Sequence, residues 1–87
     1  MRYRYLVTGR VQGVFFRKAT RRKALELGLD GWVRNLSGGE VELAAAGTPA
    51  QHEALERWLW QGPELAAVDS VMREAYPGSI APGFDIV

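Results

Sequence analysis

Residue types that commonly build catalytic or metal sites are scarce in this chain, which contains no cysteine, one histidine and three aspartates. Without cysteine there can be no disulfide, zinc–thiolate site, thiol nucleophile or cysteine-ligated iron–sulfur cluster. The histidine, His52, has no second histidine or cysteine to join it, so we interpret it as a surface residue of a helix. The aspartates are scattered and no serine has a histidine partner at a recognisable spacing. We therefore expect neither a metal site nor a bound cofactor.

Long apolar segments are also missing from the 87 residues. No stretch approaches the ~18 consecutive apolar residues of a transmembrane helix, and the start, Met1 to Tyr5, lacks the apolar core of a secretory signal. The length suits one domain, residues 1–87, because so short a chain cannot build two independent cores. We therefore expect a cytoplasmic protein with no membrane partner, and a monomer is the default expectation for so small a fold.

Charge is unevenly distributed, although the formal net charge is only +1. Residues 1–34 carry nine basic and two acidic side chains, which gives a net charge of +7. Residues 35–87 carry two basic and eight acidic side chains, which gives a net charge of −6. This asymmetry indicates either an anionic ligand near the N-terminal half or solvated faces of opposite sign.

Apolar periodicity predicts the order strand, helix, strand, strand, helix, strand, strand. Alternating polarity predicts the strands, and apolar residues at helical spacing after Phe15 predict a helix that stops at Gly28. Thr48 is a suitable N-cap for the second helix, with Pro49 at its first position. The predicted elements are a strand that ends at Gly9, a helix from about Phe15 to Leu27, a hairpin of strands over 30–35 and 41–45, a helix from Pro49 to Gly62, a strand over 68–75 whose register stays open, and a short last strand over 84–86.

Two helices that each cross between strands, on either side of an antiparallel hairpin, make a βαββαβ sandwich. Right-handed crossovers place both helices on the same side of the sheet. We therefore predict an α+β fold of the ferredoxin-like type, with two helices packed on one face of a mostly antiparallel sheet. Such a fold does not by itself determine a function.

The segment between the first strand and the first helix is the strongest candidate for a binding site. Gly9 and Gly13 bracket the turn, and glycine lets the backbone approach a ligand closely. The turn leads into a helix N-terminus, where unpaired N–H groups and the helix dipole favour an anion. Arg17 lies in the first helical turn, where a cation opposes the dipole but can bind a phosphate bidentately. The alternative is an ordinary glycine-flanked turn with a surface arginine.

Several segments resemble the signatures of the acylphosphatase family. Residues 7–18, VTGRVQGVFFRK, are similar to the phosphate loop of that family. Residues 28–36, GLDGWVRNL, followed by GEVE at 39–42, are similar to its second signature, and 83–86 match its usual last strand. The fold of the family is the sandwich that periodicity predicts. One departure is Gly38, where members commonly have aspartate, and it affects the hairpin turn rather than the site.

The resemblance implies an enzyme that hydrolyses the carboxyl–phosphate bond of acyl phosphates to a carboxylate and orthophosphate, without a metal or other cofactor. The catalytic arginine of the family falls on Arg17 and the catalytic asparagine on Asn35. The loop over 9–16 and Arg17 would hold the phosphate, and Asn35 would orient the attacking water. The implied phosphate-binding residues are Arg10, Val11, Gln12, Gly13, Val14, Phe15 and Phe16.

Side chains outside these motifs have simpler interpretations. Glu40 and Glu42 lie two residues apart on one strand, and we interpret them as a solvated edge rather than as metal ligands. Phe16 is expected in the core, and Trp58 fits the core-facing stripe of the second helix.

Two other classes of function remain as alternatives. A nucleic-acid-binding module is suggested by the basic N-terminal half, by the aromatic residues and by the βαββαβ topology, which RNA-recognition motifs share. Against it, Val41-Glu42-Leu43 lacks the paired aromatic residues of those motifs. A regulatory domain with a vestigial site is the other alternative, and the presence of both Arg17 and Asn35 argues against it. We therefore expect an acyl phosphate as the small-molecule partner, inorganic phosphate as a product and no nucleic acid.

Overall fold

The computed structural model describes all residues from Met1 to Val87, and its elements follow the predicted order. The first helix begins at Phe16 rather than Phe15, because the backbone of Phe15 is left-handed, with a φ of 62°. Neither helix combines the length and the apolar character that crossing a membrane requires. The elements are β1 (Arg2–Arg10), α1 (Phe16–Leu27), β2 (Asp30–Asn35), β3 (Val41–Ala46), α2 (Pro49–Gln61), β4 (Ala67–Ala75) and β5 (Phe84–Ile86).

The five strands form one open sheet in the order β4-β1-β3-β2-β5. β2 and β5 run parallel, and every other neighbouring pair is antiparallel. The predicted hairpin is formed by β2 and β3, and the two helices pack on the sheet. This arrangement confirms the predicted ferredoxin-like α+β fold.

The hydrophobic core lies between the sheet and the helices, as the alternation along the strands predicts. Phe16 is only 2% exposed, which confirms its predicted position in the core, and Trp58 packs against it with ring centroids 5.8 Å apart. Each large side chain buried here stabilises the fold by roughly 1.5–3 kcal/mol. The core consists of Tyr5, Val7, Val11, Val14, Phe16, Ala24, Leu29, Val33, Val41, Leu43, Ala45, Leu55, Leu59 and Phe84.

The first strand does not end at Gly9 as expected, because β1 continues through a β-bulge between Thr8 and Gly9. Gly9 has a φ of 118°, and a Cβ at this position would clash with the carbonyl oxygen of Ala67, so only glycine fits. The bulge shifts the pairing by one residue and brings both Val68 and Val71 against the core. The alternation of polar and apolar residues along β4 therefore does not by itself determine how β4 pairs with β1.

The interpretation of His52 as a surface residue is wrong, because its side chain is fully buried. Its Nδ1 lies 2.6 Å from the Tyr5 hydroxyl, and its Nε2 lies 3.1 Å from the carbonyl oxygen of Met1. A carbonyl oxygen only accepts hydrogen bonds, so Nε2 carries the proton and Nδ1 accepts from Tyr5. Burial lowers the pKa of His52 and raises the pKa of Tyr5 to about 12. The pair is therefore most stable when both groups are neutral.

The interpretation of Glu42 as part of a solvated edge is also wrong, because Glu42 is only 6% exposed. It lies on the sheet face opposite the core, since its neighbours Val41 and Leu43 belong to the core. Arg4 donates to one carboxylate oxygen, and Arg34 Nε donates to the other at 2.6 Å. Burial opposes ionisation of Glu42, but the hydrogen bonds from the two arginines outweigh it and lower the pKa. Glu42 therefore belongs to a charged network of the fold.

Candidate active site

The loop over residues 11–15 joins β1 to α1, and two left-handed residues shape its backbone. Gly13 has a φ of 73°, which is ordinary for glycine, whereas Phe15 is the only non-glycine residue with a positive φ. A left-handed backbone costs an L residue about 1–2 kcal/mol, so the surrounding structure must hold it. The side chains of Val11 and Val14 are buried in the core. They anchor the loop on both sides of Gly13.

The backbone N–H groups of this segment form a run of free donors. None of the N–H groups from Val11 to Lys18 donates to a protein acceptor. The last three belong to the first turn of α1, whose N-cap residue makes no side-chain capping bond and whose first turn contains no acidic residue. Free N–H groups and the dipole at a helix N-terminus favour an anion. The backbone therefore offers an anion site where the sequence predicts a phosphate cradle.

Arg17 and Asn35 line one cavity of about 390 Å³ beside this loop. Arg17 is the second residue of α1, and Asn35 is the last residue of β2. Asn35 pairs directly with the core residue Val41, so its side chain lies on the helix side of the sheet. The lining residues are Val11, Gln12, Gly13, Phe15, Phe16, Arg17, Lys18, Asn35 and Ile86.

The side-chain oxygen of Asn35 is buried and has no hydrogen-bond partner. Leaving a buried acceptor unsatisfied costs about 1–3 kcal/mol, so native structures contain few such atoms. Asn35 itself lines the same cavity as Arg17 and the loop residues whose N–H groups are free. A molecule that donates a hydrogen bond to this oxygen would satisfy it, and water is the smallest such molecule.

Gln12 connects the loop to the hairpin that carries Asn35. Its Nε2 donates to the carbonyl oxygens of Leu36 and Glu40, at 2.7 and 2.9 Å. Leu36 directly follows Asn35, so one side chain links the two halves of the cavity. The side-chain role of Gln12 is not evident from the sequence, because both acceptors are backbone atoms of a distant segment.

The basic residues around the cavity remain free of acidic partners. The side chains of Arg10, Arg17, Lys18 and Arg22 make neither an ion pair nor a hydrogen bond, unlike Lys23, which pairs with Glu26. The structure places no group of three or more histidine, aspartate or glutamate side chains where they could hold a metal ion. The positive charge of these four side chains is therefore not neutralised by a carboxylate of the chain.

Most of the predicted site residues meet in this cavity, and two do not line it. Arg10 pairs with Ala67 in the sheet, and the side chain of Val14 belongs to the core. Lys18 and Ile86 line the cavity without having been predicted. Lys18 directly follows Arg17, which is a signal the sequence carries, whereas Ile86 reaches the site through the pairing of β5 with β2.

The fold and the site define a small α+β protein with a cavity, lined by Arg17 and by residues whose N–H groups are free, at the start of its first helix. A family model described as Acylphosphatase matches residues 3–86. The chain therefore belongs to the acylphosphatase family, whose activity is the hydrolysis of acyl phosphates, and it is an enzyme of that class. The resemblance found in the sequence is confirmed.

Relatives and solved structures agree over nearly the whole chain. An acylphosphatase of Marinobacter nauticus is 51% identical over 78 residues, which cover 90% of this chain and 85% of that protein. An acylphosphatase structure from Coxiella burnetii matches with a TM-score of 0.94 and 45% identity, over 99% of this chain and 90% of that one. An acylphosphatase structure from Bacillus subtilis matches with a TM-score of 0.92 and 31% identity, over 99% and 97%. The similarity therefore covers the fold as well as the loop.

Proposed function

We propose that this chain hydrolyses the carboxyl–phosphate bond of acyl phosphates without a metal ion, with residues 1–87 acting as one catalytic domain. Membership of the acylphosphatase family supports the substrate class and the products. The mechanism rests on one observation: Arg17, the loop with its free N–H groups and Asn35, whose side-chain oxygen has no hydrogen-bond partner, line one cavity.

The phosphoryl group of the substrate binds to the loop N–H groups and to Arg17. Arg17 suits this role because its side chain is exposed, makes no ion pair and carries a guanidinium that can bind a phosphoryl group bidentately. Charge spreads over the equatorial phosphoryl oxygens in the transition state, and donors already held in place stabilise that charge. The loop and Arg17 therefore contribute more to the transition state than to the bound substrate.

Asn35 holds the attacking water through its side-chain oxygen, which places the water for in-line attack on phosphorus. As the water oxygen bonds to phosphorus, the P–O bond to the acyl group breaks and the carboxylate leaves with the electron pair. A carboxylate is a weak base, so its departure needs no general acid. A phosphoryl oxygen of the substrate accepts the water proton, so the step needs no protein base.

Turnover of benzoyl phosphate in the presence of EDTA tests this proposal. We expect activity in the wild type and a loss of at least ~10²-fold in kcat/KM for Arg17→Ala and for Asn35→Ala. Arg57→Ala is the matched control, because Arg57 is an exposed arginine of α2 that makes no ion pair. Wild-type activity in the Asn35→Ala protein would remove the role assigned to Asn35.

Inorganic phosphate provides an independent test of the anion site. We expect competitive inhibition, which Arg17→Ala weakens and Arg57→Ala leaves unchanged. Inhibition of another type would show that phosphate does not bind in the substrate cavity, and loss of activity in EDTA would contradict metal independence.

The monomeric state, the cytoplasmic location and the lack of nucleic-acid binding stay predictions. Titration with single-stranded RNA at several salt concentrations tests the last of these, because phosphate contacts make such binding strongly salt-dependent.

A further inference from the structure

A second cavity, of about 470 Å³, lies beside the one that holds Arg17 and Asn35. Phe15 and Lys18 line both cavities, so the two cavities adjoin at these residues. The mechanism proposed above does not use the second cavity. Its lining residues are Phe15, Lys18, Ala19, Arg22, Lys23, Glu26, Trp58 and Pro63.

Phe15 is placed between the cavities at a cost to the fold. Its backbone is left-handed, although phenylalanine disfavours that conformation, and its side chain is 71% exposed. Burial of the ring therefore does not offset the backbone strain. Strained backbone retained at an exposed position beside a binding cavity points to a role in ligand contact. The ring offers an apolar surface next to the phosphate site.

The charges in the second cavity favour an anion. Lys18 and Arg22 lie four residues apart on α1, so their side chains lie on the same face of the helix. Neither makes an ion pair, whereas Lys23 pairs with Glu26 at 3.5 Å. Arg22 lies six residues after Phe16, about 9 Å along the helix axis. A two-carbon acyl group is too short to reach it, and a longer group is required.

We propose that this second cavity receives the acyl group of the substrate and favours acyl groups that carry a second negative charge at their far end. The inference rests on the proposed phosphate site, which fixes one end of the substrate at Arg17 and the loop. Phe15 and Trp58 contact the carbon chain of the acyl group. Lys18 and Arg22 bind the distal anion, which is a carboxylate or a phosphate ester.

A comparison of two acyl phosphates of equal chain length tests the inference. Succinyl phosphate carries a distal carboxylate, whereas butyryl phosphate has the same number of carbons and no distal charge. We expect wild-type kcat/KM to be about fivefold higher for succinyl phosphate at low salt, the size of effect that exposed charge pairs produce. Lys18→Gln and Arg22→Gln should each lower this ratio, and the double variant should bring it close to one.

The control is Arg57→Gln, which removes the same charge from α2 and should leave the ratio unchanged. Thermal unfolding of each variant shows whether it is folded before kinetics are compared. An equal fall of the ratio in Arg57→Gln would show that net charge, not the cavity, selects the substrate, and would overturn the inference. A wild-type ratio near one together with turnover of acetyl phosphate would also overturn it and leave the proposed function intact. Failure of the wild type to hydrolyse any acyl phosphate would contradict both the proposed function and this inference.

Discussion

Gln12 donates a hydrogen bond from Nε2 to the carbonyl oxygen of Leu36 at 2.7 Å, and this contact ties the loop to the strand end that carries Asn35. A second bond from the same nitrogen, to Glu40 at 2.9 Å, fixes the other side of the hairpin turn. The two halves of the cavity come from separate parts of the chain. The Gln12 side chain therefore sets their separation.

Replacing Gln12 by alanine should impair catalysis more than phosphate binding. Without the two bonds, Asn35 and the loop lose their fixed spacing, and a misplacement of about 1 Å can cost up to ~10²-fold in rate. We expect kcat for benzoyl phosphate to fall about 10-fold or more, while the inhibition constant of inorganic phosphate changes much less. Gln12→Glu should be at least as damaging, because a carboxylate faces the two carbonyl oxygens. Gln61→Ala, at an exposed glutamine of α2, serves as the control, and an unchanged kcat in folded Gln12→Ala would contradict the positioning role.

Replacing Glu42 by glutamine should destabilise the fold. The carboxylate is buried between Arg4 and Arg34, and the change leaves both guanidinium groups against a neutral amide, with Glu74 as the one remaining carboxylate partner of Arg4. Because both arginines are partly exposed, solvent screens part of the effect, and we expect a loss of about 2 kcal/mol in the free energy of unfolding. Glu74 also pairs with Arg4 but is 67% exposed, so Glu74→Gln should change stability by about 0.5 kcal/mol or less. Urea unfolding of both variants measures the difference, and equal effects would contradict the importance of burial.

The same carboxylate should contribute to acid sensitivity. The pKa of Glu42 is lowered in the folded state below its ordinary value of 4.5, so the unfolded chain binds a proton more readily. The stability that Glu42 provides is therefore present above about pH 4.5 and lost as the pH falls through the lowered value. We expect unfolding in Glu42→Gln to depend less on pH in this range than in the wild type. An identical pH dependence in the two proteins would show that other carboxylates dominate.

The buried His52 should make stability depend on pH near neutrality. Its pKa in the folded state lies below the ordinary value of 6.5, so the unfolded chain takes up a proton that the folded chain does not. Stability should therefore decrease as the pH falls below about 6.5. The chain has one histidine, so urea unfolding from about pH 8 to pH 5, compared between the wild type and a histidine-free variant, measures its contribution. His52→Gln, which keeps a donor and an acceptor, should flatten the curve, and an unchanged slope would contradict the assignment.

Thr20 offers a test of the core of α1. Its side chain is fully buried and its hydroxyl oxygen has no hydrogen-bond partner. Thr20→Val replaces the hydroxyl by a methyl group of similar size, and we expect a gain of about 1 kcal/mol in the free energy of unfolding. Thr20→Ser keeps the hydroxyl but removes the methyl group, and we expect a loss of about 1 kcal/mol. A loss of stability in Thr20→Val would show that the hydroxyl has a partner after all.

Local patterns in the sequence were enough for the order of the elements and for several of their ends. Thr48 caps α2 as predicted, and its capping box with Gln51 is complete, with bonds of 2.8 and 3.2 Å. The loop between Gly9 and Arg17 was also recognisable, because a turn that leads into a helix N-terminus needs particular residues at fixed spacing. These features depend on neighbours within a few positions of the chain, which the sequence shows directly.

Burial of polar side chains depends on hydrogen-bond partners that lie far apart in the chain, and only the tertiary structure shows them. His52 is buried because its polar atoms meet Tyr5 and Met1, and Glu42 is buried because Arg4 and Arg34 flank it. Neither residue differs in its local sequence from an exposed polar residue of a helix or a strand. A buried polar group is tolerated only where its hydrogen bonds are satisfied, and no local pattern shows whether a partner exists.

Some features of the candidate site could also be predicted from the sequence, whereas others are visible only in the tertiary structure. The sequence by itself determined that a glycine-flanked loop precedes a helix that begins near Arg17, and the resemblance to the acylphosphatases indicated Asn35. Only the fold decided that Asn35 lies on the helix side of the sheet, through its pairing with Val41, and that Gln12 holds the loop against it. Strand pairing brings distant residues together, and its register follows from side-chain packing across the whole sheet rather than from any single segment.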